Sequence, residues 1–235
     1  GPAPRRPLPL RYAPSAVVLH AATRRASDLD HHTLFFGRAW RRAFRQLTRG
    51  HLLSDPSLLV TTPTVSDPGL APPGGHLHYV LVPCPNLRRG PRDWAACGPR
   101  FRDRLVAELE RRGLTGFGAA VVDELLVTPA DWAAAGHAHG TPFSVAHTLA
   151  QTGPFRPRNL PAGWENVVLA GCGTTPGVGV PPVVLSGKLA AARLTGAGRR
   201  PPAAPRRRPQ STAARRRGTA RSRAVRSAGA APSEG

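Results

Sequence analysis

Residues 166–187 read NVVLAGCGTTPGVGVPPVVLSG, and this stretch constrains the chain more than any other. A short apolar run, Val167-Val168-Leu169-Ala170, leads into a turn that carries Gly171, Gly173, Gly177 and Gly179. A second apolar run begins at Val180 and meets no further glycine until Gly187. The pattern predicts a strand, a tight loop and a helix. Glycines suit such a loop because a Cβ would block a ligand's approach or forbid the backbone angles. The unpaired N–H groups at the helix start then point toward an anionic or carbonyl-rich ligand.

The rest of the chain mixes helical and strand periodicities. Residues 15–22 read as a strand. Residues 36–49 read as a helix with Phe36, Trp40, Ala43, Phe44 and Leu47 on one face. Its other face carries Arg38, Arg41, Arg42, Arg45 and Arg49. That pattern fits a surface helix packed by its aromatic stripe, or an interfacial helix resting on a bilayer. Residues 58–62 and 76–82 read as strands joined through a Pro/Gly loop at 68–75. Residues 101–112 form a predicted helix stopped by Gly113. A strand over 119–127 follows. Thr128 then suits an N-cap, with Pro129 at the first helical position and Asp131 three residues after the cap. Residues 153–163 form a proline-rich loop, and a last helix spans 180–194.

Composition excludes several classes. The 235 residues carry 33 Lys and Arg against 13 Asp and Glu, a formal net charge of +20. Residues 199–235 hold eleven arginines, one acid and almost no large apolar side chain. Such a segment cannot bury enough surface to offset its ordering entropy, so a disordered tail is expected over 198–235. Lys188 is the only lysine. An almost pure arginine excess beside abundant Ala, Gly and Pro looks like GC-rich coding, and no specific nucleic acid is expected. An arm for nucleic acid or anionic lipid is the alternative for the tail. No run reaches the roughly 18 apolar residues of a membrane-spanning helix, and no signal-peptide pattern opens the sequence. Cys84, Cys97 and Cys172 are too few and too far apart for a disulfide framework or a Cys-x-x-Cys site. A cytoplasmic location is expected.

Other motifs fail on inspection. Ser186-Gly187-Lys188 hints at a phosphate loop, but its required upstream glycine is Pro182. His137, His139 and His147 lie close in sequence without HExxH spacing or cysteine partners, so no metal is expected. Asp123-Glu124 has no partner carboxylate at a defined spacing. No acid–base pair emerges, and no catalytic residue is assigned.

The glycine segment resembles the C-terminal flavin-binding motif of bacterial-type carotenoid desaturases, the phytoene desaturase family of amine-oxidase-like flavoproteins. That motif runs Asn, apolar residues, then G-[AGC]-G-T-x-P-G-x-G-[VI]-P. Here Asn166, Leu169, Gly171, Cys172, Gly173, Thr174, Pro176, Gly177, Gly179, Val180 and Pro181 meet it. Further similar segments follow in the family's order from about residue 8 to 195. They include Arg11-Tyr12-Ala13-Pro14-Ser15, the runs 30–37, 55–58 and 67–74, Thr128-Pro129-Ala130-Asp131-Trp132 and Phe155-Arg156-Pro157-Arg158-Asn159. The family's opening GxGxxG on a βαβ unit is absent, as is any methionine.

The resemblance implies an α/β chain that is the C-terminal portion of a longer FAD-dependent enzyme. Its expected parts are a mixed α+β substrate domain portion over 1–150 and part of a Rossmann-like FAD-binding domain over 151–197. The latter would supply a returning strand and the C-terminal helix. The missing N-terminal half would hold the adenosine and pyrophosphate. Gly171, Cys172, Gly173 and Thr174 would approach the ribityl–phosphate side of FAD, with Gly179 and Val180 near the pyrimidine edge of the isoalloxazine and Gly177 also among the cofactor-binding residues. Phe143, Leu149 and Phe155 would line a path for a phytoene-like carotene. The implied activity is an oxidoreductase of carotenoid biosynthesis that removes hydrogen from a carotene, peripherally attached to a membrane. A carotenoid isomerase, a ketolase or another amine-oxidase-like flavoprotein is the first alternative. An inactive fragment with a basic binding tail is the second.

Overall fold

A computed structural model describes residues 10–164 and 166–196; the tail expected to be disordered lies outside them. The chain forms strands β1 (Ser15–Thr23), β2 (His32–Phe35), β3 (Leu58–Thr61), β4 (His76–Cys84) and β5 (Val121–Val127). They make one sheet in the order β2-β3-β4-β1-β5, antiparallel at every pairing. The mixed α/β character expected from the sequence is present, built on an antiparallel frame.

β1 sits between β4 and β5, and its sequence SAVVLHAAT is nearly continuous in apolar residues. Ala16, Val17, Val18 and Leu19 are all at most 1% exposed, because both faces of this strand are covered. β4 instead alternates. His78, Val80, Val82 and Cys84 are buried, whereas Leu77, Tyr79 and Leu81 are half-buried. One face of the sheet is therefore packed and the other partly open.

The packed face lies under α2 (Trp94–Arg111). Leu105, Val106 and Leu109 meet Leu19, Leu58, Val60, Val80 and Val82 in the main core. α2 begins seven residues before the expected Phe101. The sequence Gly98-Pro99 reads as a breaker, but Pro99 falls in the helix's second turn. The Asp93 carboxylate caps the true start by accepting from the Ala96 N–H at 3.1 Å. After α2 the chain turns through α3 (Phe117–Ala120) into β5.

The open face carries one apolar row across all five strands. Leu34 opposes Leu59, Leu59 opposes Leu81, Leu81 opposes Val18, and Val18 opposes Val127. Leu34 is 58% exposed, and the nearby Leu125 is 61% exposed.

The helix expected over 36–49 is α1 (Trp40–Thr48). It starts late because the preceding residues belong to β2, an edge strand the periodicity did not reveal, and to a turn fixed by Asp55. The Asp55 carboxylate accepts from the N–H groups of Arg38 at 2.6 Å and Ala39 at 2.9 Å. It caps α1 from a distant loop, and the amide of Ala39 foremost holds its pKa below the ordinary carboxylate value. Arg112 ties the same region together, donating to the carbonyls of Phe35 and Pro56 and pairing with Glu108. α4 (Pro129–Ala134) starts as expected: Asp131 accepts from both the N–H and the hydroxyl of Thr128. Trp132 fastens α4 to the sheet by donating its indole N–H to the Ala16 carbonyl at 2.9 Å. α5 (Val180–Thr195) also lies where expected.

The returning strand at 167–170 is not observed among the described residues. This run pairs with no strand of the sheet. Asn159 takes its place as partner, donating its side-chain amide to the Leu169 carbonyl and accepting the Leu169 N–H at its own carbonyl.

His78 is a titratable group buried in this frame. It is 3% exposed, between the hydroxyls of Thr23 and Thr62 and edge-on to Phe117. Burial, aided by nearby His76, depresses its pKa from 6.5 to about 4. The unfolded chain therefore takes up a proton below pH 6.5 that the folded chain refuses until about pH 4. Stability should be full above pH 6.5 and fall across that window, by on the order of 3 kcal/mol in all. Urea unfolding across this range in wild type and His78→Gln checks it: the variant should lose most of the slope, and equal slopes would contradict the assignment.

Candidate functional site

The glycine segment is held by residues far away in sequence. Arg11–Pro14, just before β1, runs beside residues 140–151. The Ala13 N–H donates to the Ser144 carbonyl, the Ala146 N–H to the Arg11 carbonyl, and Thr141 Oγ1 to the Pro14 carbonyl. Gln151 closes the pairing from both ends of its amide, accepting from the Arg11 N–H at 2.7 Å and donating to the Arg11 carbonyl at 2.8 Å.

Arg156 then joins this layer to the glycine turn. It is 2% exposed, and its guanidinium donates to the carbonyls of Thr174, Val145, Gln151 and Cys172. Among the described residues no carboxylate pairs with it. Burial pulls its pKa down from the ordinary arginine value. Carbonyl dipoles alone neutralise its surroundings, which fixes the direction in which those carbonyls face.

Once the carbonyls of Cys172 and Thr174 face Arg156, the turn's amides are left to other partners. The Gly171 N–H is taken by Ser186 Oγ at 2.7 Å, from the fully buried Ser186 of α5. Thr174 is 2% exposed and donates its hydroxyl to the Pro157 carbonyl at 2.8 Å. Cys172 keeps its thiol near the Pro142 carbonyl, and Gly173 sits against Ser144. The N–H groups of Gly177, Val178, Gly179 and Val180 make no hydrogen bond to the protein among the described residues. Pro181 and Pro182 have no N–H, so these four groups are what the head of α5 offers.

Gly177 and Gly179 are structurally required. Gly177 has φ of 140°, and a Cβ on it would lie 2.7 Å from His147 Nε2. Gly179 has φ of 110° as α5 begins. Any side chain at either position is strained.

Beside this cradle lies an apolar cleft of about 350 Å3. Ala16 and Leu81 of the sheet, Leu47 of α1, and Phe143, His147 and Val178 are among the residues that line it. The cleft thus brings together the glycine segment, the leucine row and Phe143. Leu149 and Phe155 are 89% and 69% exposed and do not line it. Val180 is 78% exposed. His137 packs on Trp132 and His139 on Tyr12, so these histidines do not converge with His147. Among the described residues no group of three or more His, Cys, Asp or Glu is placed to hold a metal, and no helix is long and apolar enough to cross a membrane.

Arg156, His147 and Ser186 escaped the sequence reading as site residues. Arg156 stood only inside a family-like segment, and an arginine between Phe and Pro gives no sign that it is buried. Ser186 looked like part of a failed phosphate loop.

The chain matches no protein-family profile. It is 66% identical over 200 residues to a phytoene dehydrogenase of Streptomyces griseus, covering 83% of this chain and 39% of that protein. It is 41% identical over 184 residues to a lycopene-forming phytoene desaturase of a Paracoccus species, covering 77% and 37%. It is 36% identical over 188 residues to a zeta-carotene-forming phytoene desaturase of Myxococcus xanthus, covering 79% and 36%. The chain therefore spans under two fifths of the length of these relatives. With most of its length aligned to proteins that share this name, and a glycine cradle beside an apolar cleft, the chain belongs to the phytoene desaturase family.

Proposed function

We propose that this chain is the C-terminal portion of an FAD-dependent carotene desaturase, an oxidoreductase acting on CH–CH bonds in carotenoid biosynthesis. In this reading residues 1–150 are the substrate-binding portion and 151–197 the C-terminal part of a Rossmann-like FAD-binding domain. The observation that carries it is the adjoining of unpaired backbone donors, at 177–180, to an apolar cleft floored by a sheet. A polar cofactor edge and a hydrocarbon need that juxtaposition.

The residues present fit FAD. The backbone is open at Gly179, where a Cβ would meet nothing nearer than Pro182 at 3.5 Å, and the N–H groups of Gly177, Val178, Gly179 and Val180 are free to donate to ring or phosphate oxygens. Gly171, Cys172, Gly173 and Thr174 would flank the ribityl–phosphate side. The head of α5 adds the positive end of a 16-residue helix, which favours negative charge on the ligand. FAD, when bound, accepts the hydrogen removed from the carotene. The chain's own part is to orient and to exclude water. Leu81, Ala16, Leu47 and Phe143 offer the carotene an apolar wall, and Leu59 and Leu34 extend that wall toward the β2 edge of the sheet. Leu149 and Phe155, exposed here, would reach a carotene only outside this cleft. An apolar substrate also places the protein at a membrane surface, on its cytoplasmic side.

A chimera tests this reading: residues 10–196 replace the matching segment of the Streptomyces griseus protein. It should retain flavin and convert phytoene to more conjugated products, read by absorbance. A chimera that folds but holds no flavin would reject the cofactor assignment; one that holds flavin yet leaves phytoene untouched would reject the substrate. Gly179→Val in the same chimera should abolish flavin retention, and unchanged flavin content would sink the cradle.

Arg156→Met should remove the donor shared by four buried carbonyls and destabilise the chain by ~2–4 kcal/mol. Arg156→Lys should recover only part, because an ammonium cannot span the same fan of acceptors. Urea unfolding decides this, and a loss below ~1 kcal/mol for Arg156→Met would contradict it.

A further inference from the structure

α1 is a helix without an interior. None of its nine residues is buried. Ala43 and Leu47 are half-buried toward the rest of the protein, whereas Trp40 and Phe44 are 59% and 62% exposed. The two rings meet edge to face at 6.2 Å, so they form one projecting aromatic shoulder. Phe36, just before the helix, is 76% exposed. Large aromatic groups rarely cluster on a surface without a partner.

The charge around this shoulder has one sign. From residue 31 to 54 there is no Asp or Glu, while Arg38, Arg41, Arg42, Arg45 and Arg49 all lie there, exposed. Among the described residues none of these five makes an ion pair. Arg41 lies over the Trp40 ring, 5.4 Å from its centroid. Asp55, the closest acid in this region, is spent on capping the helix start through the amides of Arg38 and Ala39. An interface with another folded surface would leave five guanidinium groups to be matched by acids. A sheet of anionic headgroups matches them at once, and the acyl boundary beneath takes the aromatic rings.

We propose that α1 is the docking element of this chain for an anionic phospholipid surface, with Trp40 and Phe44 inserted at the headgroup–acyl boundary and Arg41, Arg42 and Arg45 on lipid phosphates. The proposal rests on the peripheral-membrane part of the reading above and makes it specific in residues and lipid charge. Leu47, on the same helix, lines the apolar cleft. The docked helix would therefore set that cleft beside the bilayer, where a hydrocarbon passes to it without crossing water.

The test needs no flavin. The full chain is mixed with phosphatidylcholine vesicles, with and without phosphatidylglycerol, whose acyl chains carry bromine to quench buried indoles. The chain has four tryptophans, so the difference between wild type and Trp40→Phe isolates Trp40. We expect Trp40 to be quenched only when phosphatidylglycerol is present. Arg41→Gln/Arg42→Gln/Arg45→Gln should bind those vesicles at least about tenfold more weakly. Vesicle binding with Trp40 unquenched and the triple variant unimpaired would place the contact elsewhere, on the basic tail for example. That result overturns the role of α1 and leaves the membrane reading intact. Absence of vesicle binding overturns both. The same measurement on the chimera covers the remaining case: if Trp40 is quenched in the chain but not in the chimera, the shoulder is an internal contact of the longer protein and the proposal fails.

Discussion

A single buried guanidinium organises the part of this molecule where chemistry is expected. Arg156 has no acid to answer its charge among the described residues, so it gathers carbonyl oxygens from two stretches of backbone. One stretch, 145–151, is itself tied to the residues that lead into β1. The other is the glycine turn. A charged donor makes stronger hydrogen bonds than a neutral one, and burial raises the penalty for losing them. The turn therefore cannot rotate its peptide planes freely. Its carbonyls face in, and its later amides are left for something outside the protein.

The surroundings of the turn follow a division of labour. Polar capacity is concentrated in backbone groups at 177–180, and the adjoining cleft is walled by aliphatic and aromatic side chains. Such a site binds by shape and by a few aligned dipoles. The sheet that floors the cleft is rigid because α2 packs its far side with Leu105, Val106 and Leu109. One face gives stability while the other stays open for function.

Much of this was legible from residues alone. The central strand announced itself through the nearly continuous apolar run SAVVLHA, and the capping box at Thr128 and Asp131 through its spacing. The glycine turn and α5 were readable because glycine and proline encode backbone geometry directly. β2 was not, since four edge residues in HTLF carry too little alternation to stand out. The start of α1 was hidden because its cap, Asp55, comes from a loop beyond the helix. The start of α2 was hidden by Gly98-Pro99, which reads as a breaker although the helix runs through it. The apolar run before the turn looked like a strand, yet strand identity is settled by a neighbour, and here Asn159 supplies the partner instead. Arg156 shows the same limit: a long-range network of carbonyls leaves no local trace in composition or period.

The position of β1 has a consequence for how such a chain is made. It precedes in sequence both of the strands that flank it, β4 and β5. Ser15 waits for Cys84 and Val18 for Val127 before either pairing exists. Arg11 waits still longer, for Gln151. Through that interval a very apolar strand has no native partner, and contacts of such separation form slowly. Nascent chains of this topology have cause to engage chaperones early, and the glycine turn with α5, which follows the sheet in sequence, docks onto a frame that its predecessors have only just closed.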